Sequence, residues 1–291
     1  MTATDQMTSR ARWLAALALE PVDRLPFWPK IGGAYQRAQK GRFTEMDVNA
    51  LHQFIGSDKH EGVPSCFKET RTNSATDSRR LSDTSRQQVY RIGSYEMEST
   101  LSWDEDSQSW HPQTFPIKTR EDLGRMAEFW RDATVEPSPE NMEKADARVR
   151  EIGEDGLRVD HIGESPLMLF VEHLAGVAPA HLFLADAPDE VEDLFDAIHQ
   201  NLLRRAELIA EHGRADATYF VENTSTTLIS PSQYGRYCFN HLEAYSDVLA
   251  TADRRVILHM CGLIKGLLDQ LAKLPVREIG RASCRERVCH R

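Results

Sequence analysis

The segment His259-Met260-Cys261 places an imidazole and a thiol two residues apart, directly after the apolar run at residues 256–258. Alternate residues of an extended chain point the same way, so both side chains can reach one ion. Imidazole nitrogen and thiolate sulfur are both zinc ligands. A catalytic zinc takes three protein ligands and a structural zinc four, so the pair alone leaves a second interpretation open. In that interpretation Cys261 is a buried thiol and His259 bonds a backbone carbonyl.

Six more polar residues lie at the carboxyl ends of predicted strands, which is where parallel βα architectures place their active sites. They are Lys30 after residues 25–28, Asp160, His161 and Glu164 at the end of residues 157–162, and Glu222 and Asn223 after residues 218–221. We predict catalytic roles for Glu222 and Asp160, and substrate binding by Lys30, His161, Glu164 and Asn223. The alternative for these side chains is ordinary loop polarity, helix capping or, for Glu222, orientation of another group.

The elements that position these residues are best defined in the second half of the chain. Strands are predicted at residues 157–162, 218–221 and 255–258, and helices at residues 167–174, 188–213, 230–250 and 263–274. Pro188 and the capping-box pattern Ser230-Pro-Ser-Gln233 mark two of the helix starts. Strands that alternate with helices favour parallel βα units.

The first half is less regular. Helices are predicted from Thr8 or Ser9 to Glu20, at residues 31–56 with a break near Gly41, and from Thr119, whose side chain can cap a helix. The polar stretch at residues 57–110 contains alternating segments and is interpreted as an antiparallel insertion or hairpin. No linker divides the chain, which predicts one domain over residues 1–277.

Composition excludes several classes of partner. The 45 acidic and 35 basic residues give a formal charge of −10, which disfavours binding to nucleic acid or to an anionic membrane surface. No apolar run is long enough for a membrane span, and the polar N-terminus lacks the pattern of a signal peptide. Five irregularly spaced cysteines predict no disulfide framework and fit a reducing cytoplasm.

Residues 278–291 change abruptly in polarity and lose periodicity. The stretch resembles one translated frame of sequencing-adapter DNA, so we expect a non-native tail and a native C-terminal part that is missing. The alternative is a real basic tail. Because of this expectation, Cys284, Cys289 and His290 are excluded from the candidate metal ligands.

Several segments resemble the uroporphyrinogen decarboxylase (URO-D) superfamily. The helix and strand at residues 8–26, the helix entry at 115–123, the segment Leu228-Ile-Ser-Pro-Ser-Gln-Tyr234 and the strand-end motif His259-Met-Cys-Gly262 carry the likeness. It spans about residues 8–277. The resemblance implies a (β/α)8 TIM-barrel-like α/β fold, incomplete at its C-terminal end.

The resemblance is closer to the zinc- and corrinoid-linked methyltransferase branch than to the decarboxylases. In that branch a His-x-Cys pair and a later cysteine hold Zn2+; His259 and Cys261 match the first two ligands, and the third is expected in the missing part. The implied reaction is methyl transfer from a methylcorrinoid, carried by a partner protein, to a small-molecule thiol. Glu222 would orient the substrate or a ligand imidazole.

Two other functions stay open. One is cofactor-free uroporphyrinogen decarboxylation, although the decarboxylases bind their substrate carboxylates through an Arg-rich motif where this chain has only Lys30. The other is a barrel that binds a small molecule without turnover. Loss of the last βα units would also leave an open sheet edge, so this chain is expected to be unstable or inactive even if its parent is an enzyme.

Overall fold

The computed structural model describes residues 5–29, 31, 40–106, 109–276 and 278–280. Its strands, in chain order, are β1 (Lys59–Gly62), β2 (Phe67–Arg71), β3 (Ser74–Ser82), β4 (Ser85–Ile92), β5 (Tyr95–Asp104), β6 (Ser109–Thr114), β7 (Ala133–Pro137), β8 (Gly156–Gly163), β9 (Ala217–Val221), β10 (Arg255–His259) and β11 (Glu278–Gly280). The longer α-helices are α1 (Ser9–Leu17), α2 (Val48–Ile55), α3 (Arg120–Arg131) and α4 (Pro139–Ile152) in the first half.

The helices of the second half are α5 (Pro166–Leu169), α6 (Val177–Asp186), α7 (Pro188–His212), α8 (Pro231–Tyr234), α9 (Asn240–Ala250) and α10 (Leu268–Leu271). Two π-helical turns, Phe170–Leu174 and Gly235–Phe239, follow α5 and α8 directly. A 3₁₀ turn, Gly41–Thr44, precedes α2, and another, Lys265–Leu267, leads into α10. π-Turns are uncommon and occur mostly at functional sites, so their repetition after two neighbouring strands directs attention to that edge.

The main sheet is parallel and has the order β1-β8-β9-β10-β11. Each strand lies beside the previous strand of the sheet, with no reversal of order. A doubly wound sheet reverses its order at a switch point, whereas a barrel does not. The described strands therefore follow barrel order and confirm the predicted α/β class.

The two faces of this sheet are both buried, which explains why its strands are nearly continuous apolar runs. The inner face packs against Trp13 and Leu17 of α1 through Leu157, Val159, Ala217, Tyr219 and Ile257. The outer face packs against the helices through Ile162, Phe220, Val256 and Leu258. Successive residues of each strand therefore alternate between the lumen and the helical layer.

Helix α1 closes the amino-terminal end of the sheet. The Thr8 side chain accepts a hydrogen bond from the Ala11 N–H and so caps the helix. The Arg12 guanidinium is only 2% exposed and forms ion pairs with Asp23 and with the buried Asp58. The indole N–H of Trp13 donates to the Asp58 carbonyl at 2.8 Å. These contacts fix α1 across the strands.

An antiparallel meander, β3-β4-β5-β6, replaces a simple connection between the first two parallel strands. Strands β2 and β7 form an antiparallel pair at its base, where Arg71 lies opposite Ala133. Tyr95 donates a hydrogen bond to Asp122 of α3 at 2.8 Å and joins the meander to the helical layer. The predicted insertion at residues 57–110 overlaps this meander but begins too early, because Lys59–Gly62 belongs to the parallel sheet.

Three predicted boundaries differ from the structure. Residues 25–28 are extended but form no strand, because prolines flank Phe27 and its N–H donates to the Asp58 carboxylate at 2.9 Å. The helix predicted at residues 263–274 is reduced to Lys265–Leu267 and Leu268–Leu271. Helix α1 ends at Leu17 rather than Glu20. In the described part of the chain, no helix is long and apolar enough to cross a membrane.

Residues 278–280 form a backbone ladder with β10, in which Glu278 lies beside Ile257. Regular structure therefore continues three residues past the boundary predicted at residue 277. The non-native origin of residues 278–291 stays a prediction, and residues 281–291 lie outside the described part of the chain.

Candidate functional site

His259 and Cys261 meet at the carboxyl end of β10. The Nε2 atom of His259 lies 2.7 Å from Cys261 Sγ, and its Nδ1 atom lies 3.2 Å from the Tyr219 hydroxyl oxygen. The Tyr219 and His259 rings stack with centroids 5.9 Å apart. His259 is 8% exposed, and its imidazole contacts Tyr219 on one side and Cys261 on the other.

The same two atoms suit a zinc ion chemically. Zinc bonds imidazole nitrogen at about 2.0–2.1 Å and thiolate sulfur at about 2.3 Å. Tetrahedral angles then separate the two ligand atoms by roughly 3.5 Å. The observed 2.7 Å is a direct imidazole–thiol contact, so the Cys261 side chain must turn away by about 1 Å to admit the ion. Tyr219 supplies the outer hydrogen-bond partner that a metal-bound histidine usually has.

The loop that carries Cys261 is tied to the loop after β9. The Ser225 hydroxyl accepts a hydrogen bond from the Leu263 N–H at 3.0 Å, and the Thr226 N–H donates to the Leu263 carbonyl at 2.8 Å. Gly262 lies so close to Ser225 that an added Cβ would overlap its side chain. Glycine is therefore required at this position by close approach of the two loops.

A second cluster lies beside the first at the same sheet edge. Glu164 follows β8, while Glu172 and His173 lie in the π-turn Phe170–Leu174. His173 Nε2 is 3.3 Å from Glu164 Oε1 and 4.0 Å from Glu172 Oε2. Asn223 donates its side-chain N–H to Glu172 Oε2 at 3.1 Å, and its backbone N–H donates to the His259 carbonyl at 2.9 Å. Asn223 thus links the two clusters.

The electrostatics of this second cluster are unusual. Burial and then the neighbouring charge of Glu164 raise the pKa of Glu172 to about 7. The hydrogen bond with Glu164 raises the pKa of His173. Asn223 has φ of 43°, in the left-handed region that asparagine tolerates better than most residues. Strained backbone of this kind concentrates at functional sites.

The two residues predicted as catalytic lie on the outer face of the sheet. Glu222 is 0% exposed; its Oε2 accepts the Ser165 N–H at 2.9 Å, and the Ser165 hydroxyl donates to its other oxygen. Asp160 is also buried, with its carboxylate near Gly213 at the end of α7. Burial raises the pKa of Glu222 to about 8 and that of Asp160 to about 6.

The catalytic roles predicted for Glu222 and Asp160 stay predictions, and the structure adds where the two carboxyl groups point. Strand alternation turns both carboxyl groups away from the lumen and into the helical layer. Glu222 accepts a hydrogen bond from Ser165, the residue that follows Glu164, and so positions the loop after β8. Asp160 touches neither cluster through any hydrogen bond in the described part of the chain.

The predicted binding residues are placed differently from one another. The His161 side chain is exposed on the inner face, with its ring centroid 5.5 Å from that of Tyr219. Glu164 and Asn223 belong to the second cluster. Lys30 lies outside the described residues.

Sequence reasoning missed Glu172, His173 and Tyr219. The only signal for Glu172 and His173 was an adjacent acidic and imidazole pair inside an otherwise apolar helix at residues 167–174. Tyr219 gave the weaker signal of a hydroxyl inside an apolar strand, in register with His161 of β8.

Comparison with known proteins agrees with this architecture. Residues 157–284 match the family model of uroporphyrinogen decarboxylase (URO-D). Among solved structures, a methyltransferase from Methanosarcina mazei shares the fold, with a TM-score of 0.56 and 17% sequence identity over 94% of this chain and 76% of that chain. No curated protein sequence matches this chain. The matched segment covers less than half of this chain, and the likeness to the solved structure shows a shared fold.

Proposed function

We propose that this protein is a methyltransferase that moves a methyl group from a methylcorrinoid, carried by a partner protein, to a small-molecule thiol. Zn2+ held by His259 and Cys261 would supply the activation of that thiol. The observation that carries the proposal is the 2.7 Å approach of His259 Nε2 and Cys261 Sγ at the carboxyl edge of the parallel sheet. The fold that this chain shares with the methyltransferase from Methanosarcina mazei supports the proposal.

His259 and Cys261 provide two of the three protein ligands that a catalytic zinc takes. Among the described residues, no third histidine, cysteine or carboxylate converges on this pair. We therefore propose that the third ligand comes from a part of the protein that the structure does not describe. When bound, zinc lowers the pKa of a coordinated thiol and keeps it nucleophilic at neutral pH.

The chain's own residues orient this chemistry. Tyr219 holds the His259 ring so that Nε2 faces the thiol, and the Ser225–Leu263 tie holds the loop of Cys261. In the proposed reaction the substrate thiolate attacks the methyl carbon, and the carbon–cobalt electron pair stays on the corrinoid. We assign substrate binding to His161, which is exposed beside Tyr219 on the inner face.

Decarboxylation of a porphyrinogen finds less support. Such a substrate carries many carboxylates and needs arginine forks to bind them. Glu164 and Glu172 lie at the carboxyl edge, and among the described residues neither forms an ion pair with a Lys or Arg. Two carboxylates would repel an anionic substrate.

Zinc content tests the proposal. We expect about one zinc per chain in protein expressed from its source gene, and its loss in Cys261→Ser. The matched control is Cys66→Ser, whose hydroxyl can keep the hydrogen bond that the Cys66 thiol donates to the Leu208 carbonyl. A wild-type protein that transfers methyl equally well after complete removal of zinc would contradict the role of the metal.

A further inference from the structure

Glu164, Glu172 and His173 form a mixed donor set of two carboxylates and one imidazole. One ligand atom from each lies within 4.8 Å of the others. Atoms that bind one ion at about 2.1 Å lie roughly 3–4 Å from each other. The distances of 3.3 and 4.0 Å from His173 Nε2 to the two carboxylates fall in that span. The side chains therefore need little movement to enclose a cation.

Two oxygens of this cluster are buried without a partner. Glu164 Oε2 and Glu172 Oε1 have no accessible surface and accept no hydrogen bond in the described part of the chain. Their side chains are only 13% and 18% exposed. A buried carboxylate oxygen without a donor or cation is costly, because desolvation is not compensated. These oxygens therefore indicate a missing positive group at the cluster.

No side chain in the described structure supplies that charge. Among the described residues the two carboxylates form ion pairs with His173 alone, whereas the buried acids Asp58 and Asp216 each pair with arginine. Asn223 occupies Glu172 Oε2 and leaves the other oxygen open. The Asn223 hydrogen bond therefore orients the Glu172 carboxylate within the cluster.

We propose that Glu164, Glu172 and His173 bind one divalent cation of the Mn2+ type at the carboxyl edge of the sheet. Two carboxylates make the site hard, and one imidazole adds affinity for a transition metal over Mg2+. The site differs in chemistry from the His259–Cys261 pair, which offers a soft thiolate. Asn223 connects the two positions, so a cation at the first site lies beside the proposed methyl-transfer site.

Mn2+ itself is the probe, because the free hexaaqua ion and the bound ion differ in electron paramagnetic resonance. We expect the intact chain to bind one Mn2+, and His173→Ala and the double variant Glu164→Gln/Glu172→Gln to bind about tenfold or more weakly. Glu128→Gln, which changes an exposed acid of α3, is the matched control and should bind like wild type. Cys261→Ser should also bind Mn2+ like wild type.

The thermal midpoint gives a second readout that does not depend on activity. Mn2+ should raise the midpoint of wild type and of Cys261→Ser, and leave that of Glu164→Gln/Glu172→Gln unchanged. Equal Mn2+ affinity of wild type and the double variant would overturn the proposal. Loss of Mn2+ binding in Cys261→Ser alone would overturn it too, since the ion would then belong to the other pair, whereas absence of zinc at Cys261 would leave this site unaffected.

Discussion

The two ends of the parallel sheet differ in how their buried charged side chains are paired. At the amino-terminal end, Arg12 and Asp58 are almost fully buried and satisfy each other, with Asp23 as a further partner. At the carboxyl end, Glu164 and Glu172 lie close together and keep two buried oxygens without partners. A protein gains no stability from the second arrangement. The amino-terminal end therefore stabilises the fold, whereas the carboxyl end carries the proposed cation site.

Arg12→Ala should show the largest effect. Removal of the guanidinium leaves Asp58 buried with less compensation, and breaking a buried ion pair lowers the free energy of unfolding by about 3–5 kcal/mol. Urea unfolding followed by circular dichroism measures this change. Arg125→Ala is the control: Arg125 forms ion pairs with exposed acids of α3 and lies over the Tyr95 ring, and its removal should cost about 1 kcal/mol. Equal losses in both variants would remove the contrast between the two ends.

Gly262→Ala should have the next effect. Its Cβ would overlap Ser225, so the loops after β9 and β10 must separate, at a cost of about 1–3 kcal/mol. Because Cys261 is adjacent, we also expect weaker zinc binding. Gly124→Ala in α3 is the matched control: no atom approaches its Cβ position, and alanine should stabilise the helix by about 0.5–1 kcal/mol. A fully stable, zinc-binding Gly262→Ala would show that the loops are not tied.

Glu172→Gln should have the smallest effect, and its sign depends on pH. The pKa of Glu172 rises from 4.5 to about 7 on folding, so the folded state binds the extra proton. Stability from this group is full below pH 4.5 and is lost as pH rises through 7. In metal-free protein the variant should therefore exceed wild type by about 1–2 kcal/mol at pH 8, with a flatter pH profile.

Thermal unfolding between pH 4.5 and 8 with a chelator measures the Glu172 effect. Added Mn2+ should reverse the order at pH 8, because only wild type keeps the charged ligand. A variant that is less stable than wild type throughout this range would show that the Glu172 charge has an unrecognised partner.

The βα order of the second half was predictable because local signals agreed there. Pro188 and the box formed by Ser230 and Gln233 start their helices as the sequence indicates. The strand predicted at residues 25–28 was wrong. The backbone N–H of Phe27 donates to the Asp58 carboxylate rather than to a neighbouring strand, and a short apolar run between prolines does not reveal this.

The sequence predicts that the site lies at the carboxyl edge of the sheet, but it does not predict which way each side chain points. The sequence places Asp160, His161 and Glu222 at strand ends, yet both faces of these strands are apolar, so alternation alone does not reveal which face is the lumen. Only packing against α1 shows that His161 points inward and the two acids outward. Glu172 and His173 were not predicted as site residues, because a π-turn changes the residue spacing on which helical patterns depend.

The antiparallel β2–β7 pair at the base of the meander has a consequence for the order of folding. Strands β1 and β8 are separated by about a hundred residues, and closing a loop of that length directly is entropically unfavourable. The meander, whose pairings are nearly all between sequence neighbours, can form early, and the β2–β7 pair then brings the ends of that long segment together. The insertion thus lowers the effective contact order of the β1–β8 pairing. A destabilised β2–β7 base should slow folding more than it speeds unfolding.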